Sequence, residues 1–300
     1  SDICVVIPHL NQEQDLARCL ASIWAGTRKP DQVIVVDNGS TRLPQDVCAA
    51  YPNMTLLRQP IKGPGHARNL GVLHSRCEII AFIDADCIAD DGWLSAAETA
   101  LRNTPGMVLG GEVKIGAVQP YRLTAIEAYE SVFAYRMDRY IAQSGFTGTG
   151  NLVLRRDLFR QIGPFKGVDV AEDREWGKRA TALGHEIRFV SDMIVFHPGR
   201  KSLGALRRKW DRHLAHDMAQ CAGLSDRVRW AIKAAAMFAS PLFALPQVLF
   251  SDRLDHGRDR IGAFGILVFI RVYRGLRMIQ LLLGLKPERL LHRWNPSDAH

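Results

Sequence analysis

Two carboxylates separated by one small residue, Asp84 and Asp86 around Ala85, are the most chemically specific feature of the sequence. They follow directly after the apolar run 79–83, which has the composition of a buried strand. Carboxylates at this spacing can share a hard divalent cation, because Mg²⁺ and Mn²⁺ prefer oxygen ligands and keep places for water and phosphate. An isolated pair of this kind is more often a solvated turn, but its position at a strand end favours a cation site.

Two further polar clusters also follow apolar runs. Residues 8–11 come after the run 3–7, and residues 37–40 come after the run 33–36. In an open parallel sheet, ligands bind outside the carboxyl ends of the strands. Each cluster alone would be an ordinary turn, but three clusters at one edge of a sheet predict a binding site.

The elements that must position these clusters alternate between strands and helices. Apolar runs predict strands at 3–7, 33–36, 54–57 and 79–83. Helical spacing of apolar residues predicts helices at 12–25, 65–76 and 92–102. This alternation predicts an α/β fold with a mostly parallel, doubly wound sheet covered by helices on both faces.

The pattern changes in the middle of the chain. The sequence predicts a strand at 107–115, a single long helix at 121–143, a glycine-rich loop at 145–151, a strand at 152–155, a helix at 173–183 and a strand at 187–190. Beyond residue 198 the pattern is helical. We therefore expect a body at 1–198, with halves at 1–110 and 111–198, and a helical extension at 199–300.

Basic residues are concentrated in that extension. The whole chain has 39 Lys and Arg against 31 Asp and Glu, a net charge of +8. Residues 199–300 hold 18 of the basic and 8 of the acidic residues, a net of +10, and this balance favours an anionic partner. No nucleic-acid recognition motif accompanies the basic segment, so we expect no nucleic-acid partner. The six cysteines lack metal-site spacing and favour a reducing compartment.

The motifs together resemble those of family 2 glycosyltransferases. The matching segments are Val5–Pro8 with Asn11, Val35–Ser40, Gly65–Gly71, Phe82–Asp86, Gly148–Asn151 and Glu172–Asp173. Six motifs in this order are a specific signal, although no single motif would be. The resemblance implies a GT-A fold, an inverting transferase, a nucleotide-sugar donor and a divalent metal, Mn²⁺ or Mg²⁺. UDP-sugars are preferred because they are the frequent donors of the family.

The resemblance also implies roles in donor binding, in the half of the body at 1–110. The segments at Pro8, Asn11 and Asp37 resemble nucleotide-binding loops, in which the aspartate accepts a hydrogen bond from the base. Arg68 resembles a residue beside the diphosphate, where a guanidinium stabilises phosphate charge. Asp84 would assist in nucleotide binding.

Three residues are candidates for the metal. Asp86, with Asp84 assisting, would hold the cation that neutralises the leaving diphosphate. His197 follows the last predicted strand, where a histidine of some GT-A enzymes reaches the metal. A structural or solvated histidine is an equally good interpretation.

The resemblance places the chemistry on the acceptor in the half at 111–198. Asp173 is the preferred general base that deprotonates the acceptor hydroxyl, and Glu172 is the alternative. A carboxylate favoured by the helix dipole is compatible with either role. The predicted acceptor-binding residues are Gly148, Thr149, Gly150, Asn151 and Trp176.

The sequence departs from the family pattern at two places. His9 and Leu10 stand where Thr or Val and an aromatic residue are common, which puts the base contacts of that loop in doubt. Polymerising members carry a Gln-x-x-Arg-Trp motif, but here Leu206 replaces the Gln and Lys209 precedes Trp210. This departure favours transfer of a single sugar over processive synthesis.

The C-terminal extension has two apolar stretches, 234–250 and 261–285. The first contains two prolines and the second three arginines, so neither is expected to span a bilayer, which needs about 20 apolar residues. Helices lying in an anionic headgroup layer fit the apolarity and the charge. We therefore expect a cytoplasmic protein, peripheral at the inner face of the cell membrane, with a lipid or lipid-linked glycan as a candidate acceptor. The alternative is a helical subdomain or a homo-oligomer interface.

Two other functions compete with sugar transfer. A sugar-phosphate nucleotidyltransferase would share the alternating fold and metal carboxylates, but it would need a basic glycine-rich loop after the first strand. Residues 9–12 do not supply one. A non-catalytic protein that binds nucleotide sugars or membranes would not need Glu172 and Asp173.

Overall fold

The computed structural model describes residues 1–116, 122–167, 171–219, 221 and 223–287. The chain divides into two compact units. Unit 1 comprises 1–120 and 135–198, and unit 2 comprises 121–134 and 199–300. The predicted body at 1–198 included 121–134, whereas these residues fall in unit 2.

In the described part of unit 1, eight strands form one sheet in the order β3-β2-β1-β4-β7-β6-β8-β5. The strands are β1 (Ile3–His9), β2 (Gln32–Asp37), β3 (Met54–Arg58), β4 (Ile79–Ile83), β5 (Ile88–Ala89), β6 (Val108–Ile115), β7 (Asn151–Arg155) and β8 (Ile187–His197). β7 is antiparallel to β4 and β6, and β5 is antiparallel to β8, whereas the other pairings are parallel. The sheet is therefore mostly parallel, as predicted. Of its two antiparallel strands, β7 was predicted as a strand without its direction, and β5 was not predicted.

Helices cover both faces of this sheet. They are α1 (Glu13–Ala25), α2 (Gln45–Ala49), α3 (Pro64–His74), α4 (Trp93–Asn103), α6 (Met137–Ser144), α7 (Arg156–Ile162) and α8 (Glu172–Ala182). Alternate residues of β1 enter two separate cores, with Val5 and Ile7 in one and Cys4 and Val6 in the other. Burial on both faces is why the central strands are continuous apolar runs.

The helix predicted over 121–143 is two helices. α5 (Ala125–Phe133) ends before Tyr135, and α6 begins at Met137. The φ angle of Tyr135 is +51°, which a continuous right-handed helix cannot contain. The apolar spacing on either side of the break is helical, so the bend was invisible in the sequence pattern.

Unit 2 contains α5 and three long helices, α9 (Leu203–Ala219), α10 (Leu224–Leu249) and α11 (Gly257–Leu282). α5 packs its buried Ala128, Tyr129 and Val132 into a core with Leu267 and Ile270 of α11. This packing is the physical reason why residues 121–134 group with the C-terminal helices. A second core of unit 2 includes Leu214, Trp230, Ala234, Met278 and Leu281.

α10 is longer than its apolar stretch at 234–250 suggested. Pro241 and Pro246 lie inside the helix without ending it, and its 26 residues span about 39 Å. Among the described residues it is the one helix whose length and composition would allow it to cross a membrane, and only 22% of its apolar window is buried. The sequence predicted a proline-interrupted stretch too short to span a bilayer, but α10 continues through both prolines and is long enough.

The three arginines of α11 do not form a solvated basic face. Arg271, Arg274 and Arg277 are all half-buried. The Arg274 guanidinium lies 3.8 Å from the centre of the Trp210 ring, and Arg277 Nε lies 3.4 Å from an oxygen of Asp211. These side chains pack within unit 2, whereas the sequence analysis expected helices lying in an anionic headgroup layer.

Candidate active site

Arg68 lies at the centre of a network at the carboxyl edge of the sheet. It sits in the first turns of α3, and its side chain is 5% exposed. Its Nη1 donates to Glu172 Oε1 and its Nη2 donates to Asp84 Oδ1, both at 2.6 Å. Burial acts to lower the pKa of Arg68, but the two carboxylates outweigh it and the pKa is raised. The guanidinium is therefore fixed as a cation between two acids.

Glu172 holds this network to the start of α3. Its Oε2 accepts the Gly65 amide at 2.8 Å while its Oε1 accepts Arg68. A Cβ on Gly65 would lie 2.4 Å from that same Oε2, so only glycine fits there. Burial raises the pKa of Glu172, and the neighbouring Arg68 opposes the shift. Glu172 thus positions other groups and has both oxygens occupied.

Asp173 is the adjacent residue in the first turn of α8, and its environment differs. Its Oδ1 accepts the backbone amide of Arg174 at 2.7 Å, and it makes no ion pair among the described residues. Burial raises the pKa of Asp173, and the backbone hydrogen bonds and Arg68 act in the opposite direction. A half-buried carboxylate with a raised pKa and no salt bridge is suited to accept a proton.

The two aspartates after β4 have separate partners. Asp84 contacts Arg68, and its Oδ2 lies against Gly150, where an added Cβ would approach it to 2.7 Å. Asp86 is only 8% exposed and lies beside His197, with 3.7 Å between Asp86 Oδ2 and His197 Nε2. Asp84 therefore faces Arg68 and Asp86 faces His197, and a cation shared by the two carboxylates stays a prediction.

A different group could hold the ion. Among the described residues, Asp86, Cys87 and His197 place ligand atoms within 4.8 Å of one another. Burial, followed by the nearby aspartates, raises the pKa of the Cys87 thiol well above its usual value, so this residue is a poor ligand. The remaining carboxylate and imidazole are donors that suit Mn²⁺. The donor set therefore fits a divalent cation held by Asp86 and His197.

Tyr135 completes the surroundings of His197. Its hydroxyl lies 3.1 Å from His197 Nε2, and the two rings stack at 4.5 Å. His197 Nδ1 lies 2.8 Å from the carbonyl oxygen of Pro198, which assigns the ring proton to Nδ1. Nε2 then accepts a hydrogen bond from the Tyr135 hydroxyl, and this bond would have to break if Nε2 bound a metal.

The loops after β1 and β2 are tied to each other. Asp37 is 1% exposed; its Oδ1 pairs with His9 Nδ1 at 3.0 Å, and its Oδ2 accepts the amides of Gly39 and Ser40. Burial acts to raise the pKa of Asp37, but these hydrogen bonds outweigh it and lower the pKa. The unusual His9 is therefore part of the loop structure. Contact between Asp37 and a nucleotide base stays a prediction.

Asn11 and Pro8 lie in the same loop region. Asn11 has a φ of +53°, and its Oδ1 accepts both the amide and the hydroxyl of Thr41. The side chain thus joins the two loops, which leaves its Nδ2 for a ligand. Pro8 is half-buried near the end of β1, next to Val36 of β2.

Two predicted acceptor residues are structural instead. Asn151 is 1% exposed, accepts from Trp93 Nε1 at 2.9 Å, and donates through Nδ2 to two backbone carbonyls on β6 and β8. Trp176 is also 1% exposed, packs against Phe159 and donates to the carbonyl of Gly163. The prediction that these two side chains bind an acceptor is wrong, because they have no free surface or free polar atoms.

Among the remaining acceptor candidates, Gly150 lies against Asp84, a metal and donor candidate. Gly148 donates its amide to the sulfur of Met137, and Thr149 is buried. Sequence reasoning did not single out Gly65 or Tyr135. The glycine-rich entry to α3 was a signal for Gly65, whereas no sequence signal pointed to the bend at Tyr135.

Comparison with known proteins identifies the family. The family model described as glycosyl transferase family 2 matches residues 4–163. The chain is 32% identical over 215 residues to the glycosyltransferase AglE of Haloferax volcanii, covering 69% of this chain and 70% of that protein. The chain belongs to glycosyl transferase family 2, and it is a glycosyltransferase. The resemblance inferred from the sequence is confirmed.

Solved structures show the same fold. The match to the mannosyltransferase PcManGT of Pyrobaculum calidifontis, solved with GDP-Man and Mn²⁺, has a TM-score of 0.57 at 17% identity and covers 94% of this chain and 87% of that chain. The match to residues 1–349 of TarS from S. aureus, solved with UDP-GlcNAc, has a TM-score of 0.53 at 18% identity and covers 93% and 84%. The predicted GT-A fold is therefore confirmed.

Proposed function

We propose that this enzyme transfers a single sugar from a nucleotide-sugar donor to an acceptor hydroxyl, with inversion and with the help of Mn²⁺ or Mg²⁺. The observation that carries the proposal is the proximity of two groups after β4, the Arg68 network and the Asp86–His197 pair. The neighbours were solved with GDP-Man and Mn²⁺ and with UDP-GlcNAc, which supports a donor of this class. UDP-sugars remain the first candidates from the sequence resemblance.

Asp173 is the proposed general base. The acceptor oxygen forms a bond to the anomeric carbon as the bond from that carbon to the diphosphate oxygen breaks, and Asp173 takes the hydroxyl proton. A single displacement from the face opposite the leaving group inverts the configuration. Glu172 is less suited because its oxygens hold Arg68 and Gly65. The family match ends at residue 163, so this assignment rests on geometry.

Asp86 and His197 are the residues that would hold the divalent cation, and Asp84 faces Arg68 instead. When bound, a divalent cation would neutralise negative charge on the leaving diphosphate. Arg68 adds fixed positive charge at the same edge of the sheet. Both of its terminal nitrogens are engaged by carboxylates, so we assign it a positioning role beside the diphosphate.

The test is release of the nucleoside diphosphate from a panel of UDP- and GDP-sugars with Mn²⁺ or Mg²⁺. We expect activity with at least one donor, loss of activity in excess EDTA, and loss in Asp86→Ala. Asp46→Ala, which removes an 84% exposed carboxylate of the same unit, is the matched control and should keep full activity. Full activity of Asp86→Ala, or no loss in EDTA, would refute metal dependence.

The product should carry one added sugar. Leu206, which replaces the Gln of the processive motif, is fully buried in a core of unit 2 and offers no polar group to a growing chain. Mass spectrometry of the product after extended reaction should show a single increment. A ladder of increasing sugar number would refute this part of the proposal.

We also propose that unit 2 attaches the enzyme peripherally to a lipid surface at the inner face of the cell membrane, which would suit a lipid-linked acceptor. Several large apolar side chains on or just after α10 are strongly exposed, including Leu242 at 70%, Phe243 at 82% and Phe250 at 84%. Exposed apolar patches of this kind mark interaction sites. A second copy of the chain is the competing occupant, and sedimentation equilibrium distinguishes the two.

Vesicle binding tests this attachment. The protein should sediment with vesicles that contain phosphatidylglycerol, and the double variant Leu242→Ser with Phe243→Ser should sediment less. Leu73→Ser, which removes a 77% exposed leucine of unit 1, is the matched control. Absence of vesicle binding together with a stable dimer would refute the proposal. Retention after alkaline carbonate extraction would show that α10 spans the bilayer and would refute peripheral attachment.

A further inference from the structure

Unit 2 contains a cluster of basic side chains around one indole ring. The cationic cluster is defined here as Lys209, Trp210, Arg271 and Arg274. Arg274 stacks on the Trp210 ring with its guanidinium carbon 3.8 Å from the ring centre, and Lys209 Nζ lies 5.8 Å from the same centre. Arg271 lies one turn before Arg274 on α11, so two guanidinium groups share one side of the helix.

Two hydrogen-bond donors in this cluster, the buried Nε atoms of Arg271 and Arg274, have no partner among the residues that the structure describes. The Trp210 side chain is a hydrogen-bond partner of the Tyr129 hydroxyl. A buried donor without an acceptor is destabilising, and so are like charges at this spacing on a helix. Apolar residues would pack here at lower free energy, so the cluster requires a reason beyond folding.

Nearby acids do not compensate for this charge. Glu130 is engaged by Arg200, through its side chain and through the Arg200 amide at 2.9 Å. Asp217 acts on Arg274 but is solvent-exposed. Burial, and then Arg271, lowers the pKa of Arg274 to about 10. Burial, and then Arg200, lowers the pKa of Lys209 to about 8. Burial is the larger cause of both shifts, and the neighbouring cations add to it.

We propose that the cationic cluster binds a phosphate or diphosphate group. Guanidinium groups present parallel donors that match phosphate oxygens, and a tetrahedral anion can accept several donors from different directions. The Trp210 ring holds the Arg274 guanidinium by stacking. Arg271 and Arg274 are half-buried, so part of each side chain reaches solvent. This proposal does not depend on the sugar-transfer reaction.

The test uses inorganic phosphate and pyrophosphate at constant ionic strength in EDTA, with binding measured by calorimetry and by the thermal midpoint. We expect Arg271→Gln to bind pyrophosphate about tenfold more weakly than the unaltered protein, because a charge-assisted hydrogen bond is lost. Arg229→Gln removes the same charge from a 70% exposed site on α10 and should bind normally. Equal affinity in the Arg271 and Arg229 variants, or no binding by the unaltered protein, would overturn the proposal.

A second variant guards against misfolding. Trp210→Phe keeps one aromatic ring beside Arg274 but removes the second ring together with the N–H, so the stacking should weaken and pyrophosphate affinity should fall while the fold persists. Normal affinity in that variant would remove Trp210 from the site. Release of nucleoside diphosphate from the donor should be unchanged in Arg271→Gln, so failure of this proposal and failure of the proposed transfer reaction are told apart.

Vesicle binding distinguishes a phosphate group carried by a lipid from a soluble phosphate. The protein is mixed with phosphatidylcholine vesicles alone, with added phosphatidylglycerol, or with an added long-chain alkyl diphosphate. Stronger Arg271-dependent binding to the diphosphate vesicles identifies a lipid diphosphate, and Arg271-dependent binding to both anionic types identifies a headgroup. Arg271-dependent binding of pyrophosphate alone identifies a soluble phosphate. Binding that is independent of Arg271 in every arm would refute the site.

Discussion

Replacing the two adjacent acids of α8 should change stability in opposite directions. Glu172→Gln keeps the shape of the side chain, but a single amide oxygen cannot accept from both Gly65 and Arg68. One buried donor then faces an NH₂ group, and the lost charge-assisted bond should lower the free energy of unfolding by about 2 kcal/mol. Burial also raises the pKa of Glu172, so removal of its charge offsets part of this loss. Screening is weak, because the side chains of Arg68 and Glu172 are only 5% and 13% exposed. The thermal midpoint should fall by roughly 4–8 °C.

Asp173→Asn should stabilise the protein at neutral pH. Burial raises the pKa of Asp173 in the folded state, so folding favours the protonated form and the charged form is destabilising. The stability that this group contributes is therefore present below its unfolded pKa, about 3.9, and is lost as the pH rises through the folded pKa. Asparagine resembles the protonated form, so its advantage should appear at pH 7 and vanish near pH 3.

The same two variants separate the catalytic roles. Asp173→Asn should lower turnover by about 10²–10⁴-fold, the usual contribution of a general base, while affinity for the nucleotide holds. Glu172→Gln should lose less turnover and should weaken donor binding through Arg68. Thermal unfolding at both pH values and steady-state kinetics measure these effects. A Glu172→Gln enzyme that is inactive but fully stable, beside an active Asp173→Asn enzyme, would refute the reasoning and exchange the roles.

Three other changes test the site. Gly65→Ala should lower both turnover and the thermal midpoint, because its Cβ would lie 2.4 Å from Glu172 Oε2, whereas Gly106→Ala has open space and should be neutral. Asn151→Ala should lower the free energy of unfolding in urea by about 3 kcal/mol, because it leaves a buried indole N–H and two carbonyls unpaired, while KM for the acceptor stays unchanged. The acidic limb of kcat/KM should lie above the ordinary aspartate value of 3.8, because burial raises the pKa of Asp173; a limb at or below 3.8 would contradict its role as base.

The buried strands could be predicted because burial on both faces leaves a simple pattern. Residues 79–83 are apolar throughout, and β4 spans the same residues with every one of them buried. The antiparallel strand β7 has an apolar centre at 152–154, but composition alone could not give its direction. The break at Tyr135 depends on a single backbone angle, and the helical spacing of its neighbours concealed it.

The sequence predicted which residues form the site better than it predicted which of them contact each other. Asp84 and Glu172 meet at the Arg68 guanidinium, and Asp86 follows the same strand as Asp84. Glu172 begins a helix, so the family resemblance and not the strand-end argument pointed to it. Which acid faces Arg68 and which faces His197 depends on side-chain directions, and spacing along the chain does not determine these. Asn151 was mistaken for a ligand contact because a polar residue after a glycine-rich loop has the same sequence signature whether it faces solvent or the core.

The charge of the C-terminal third shows where composition stops being informative. A net of +10 favours an anionic partner, but it does not say which cations are available to that partner. Arg277 is engaged by Asp211 and Tyr273, so it contributes to packing. Arg271 and Arg274 instead bury donors that nothing in the described structure satisfies. Electrostatic attraction to a lipid surface and specific binding of a phosphate group therefore depend on different arginines, and charge reversal at all three would confuse the two effects with loss of folding.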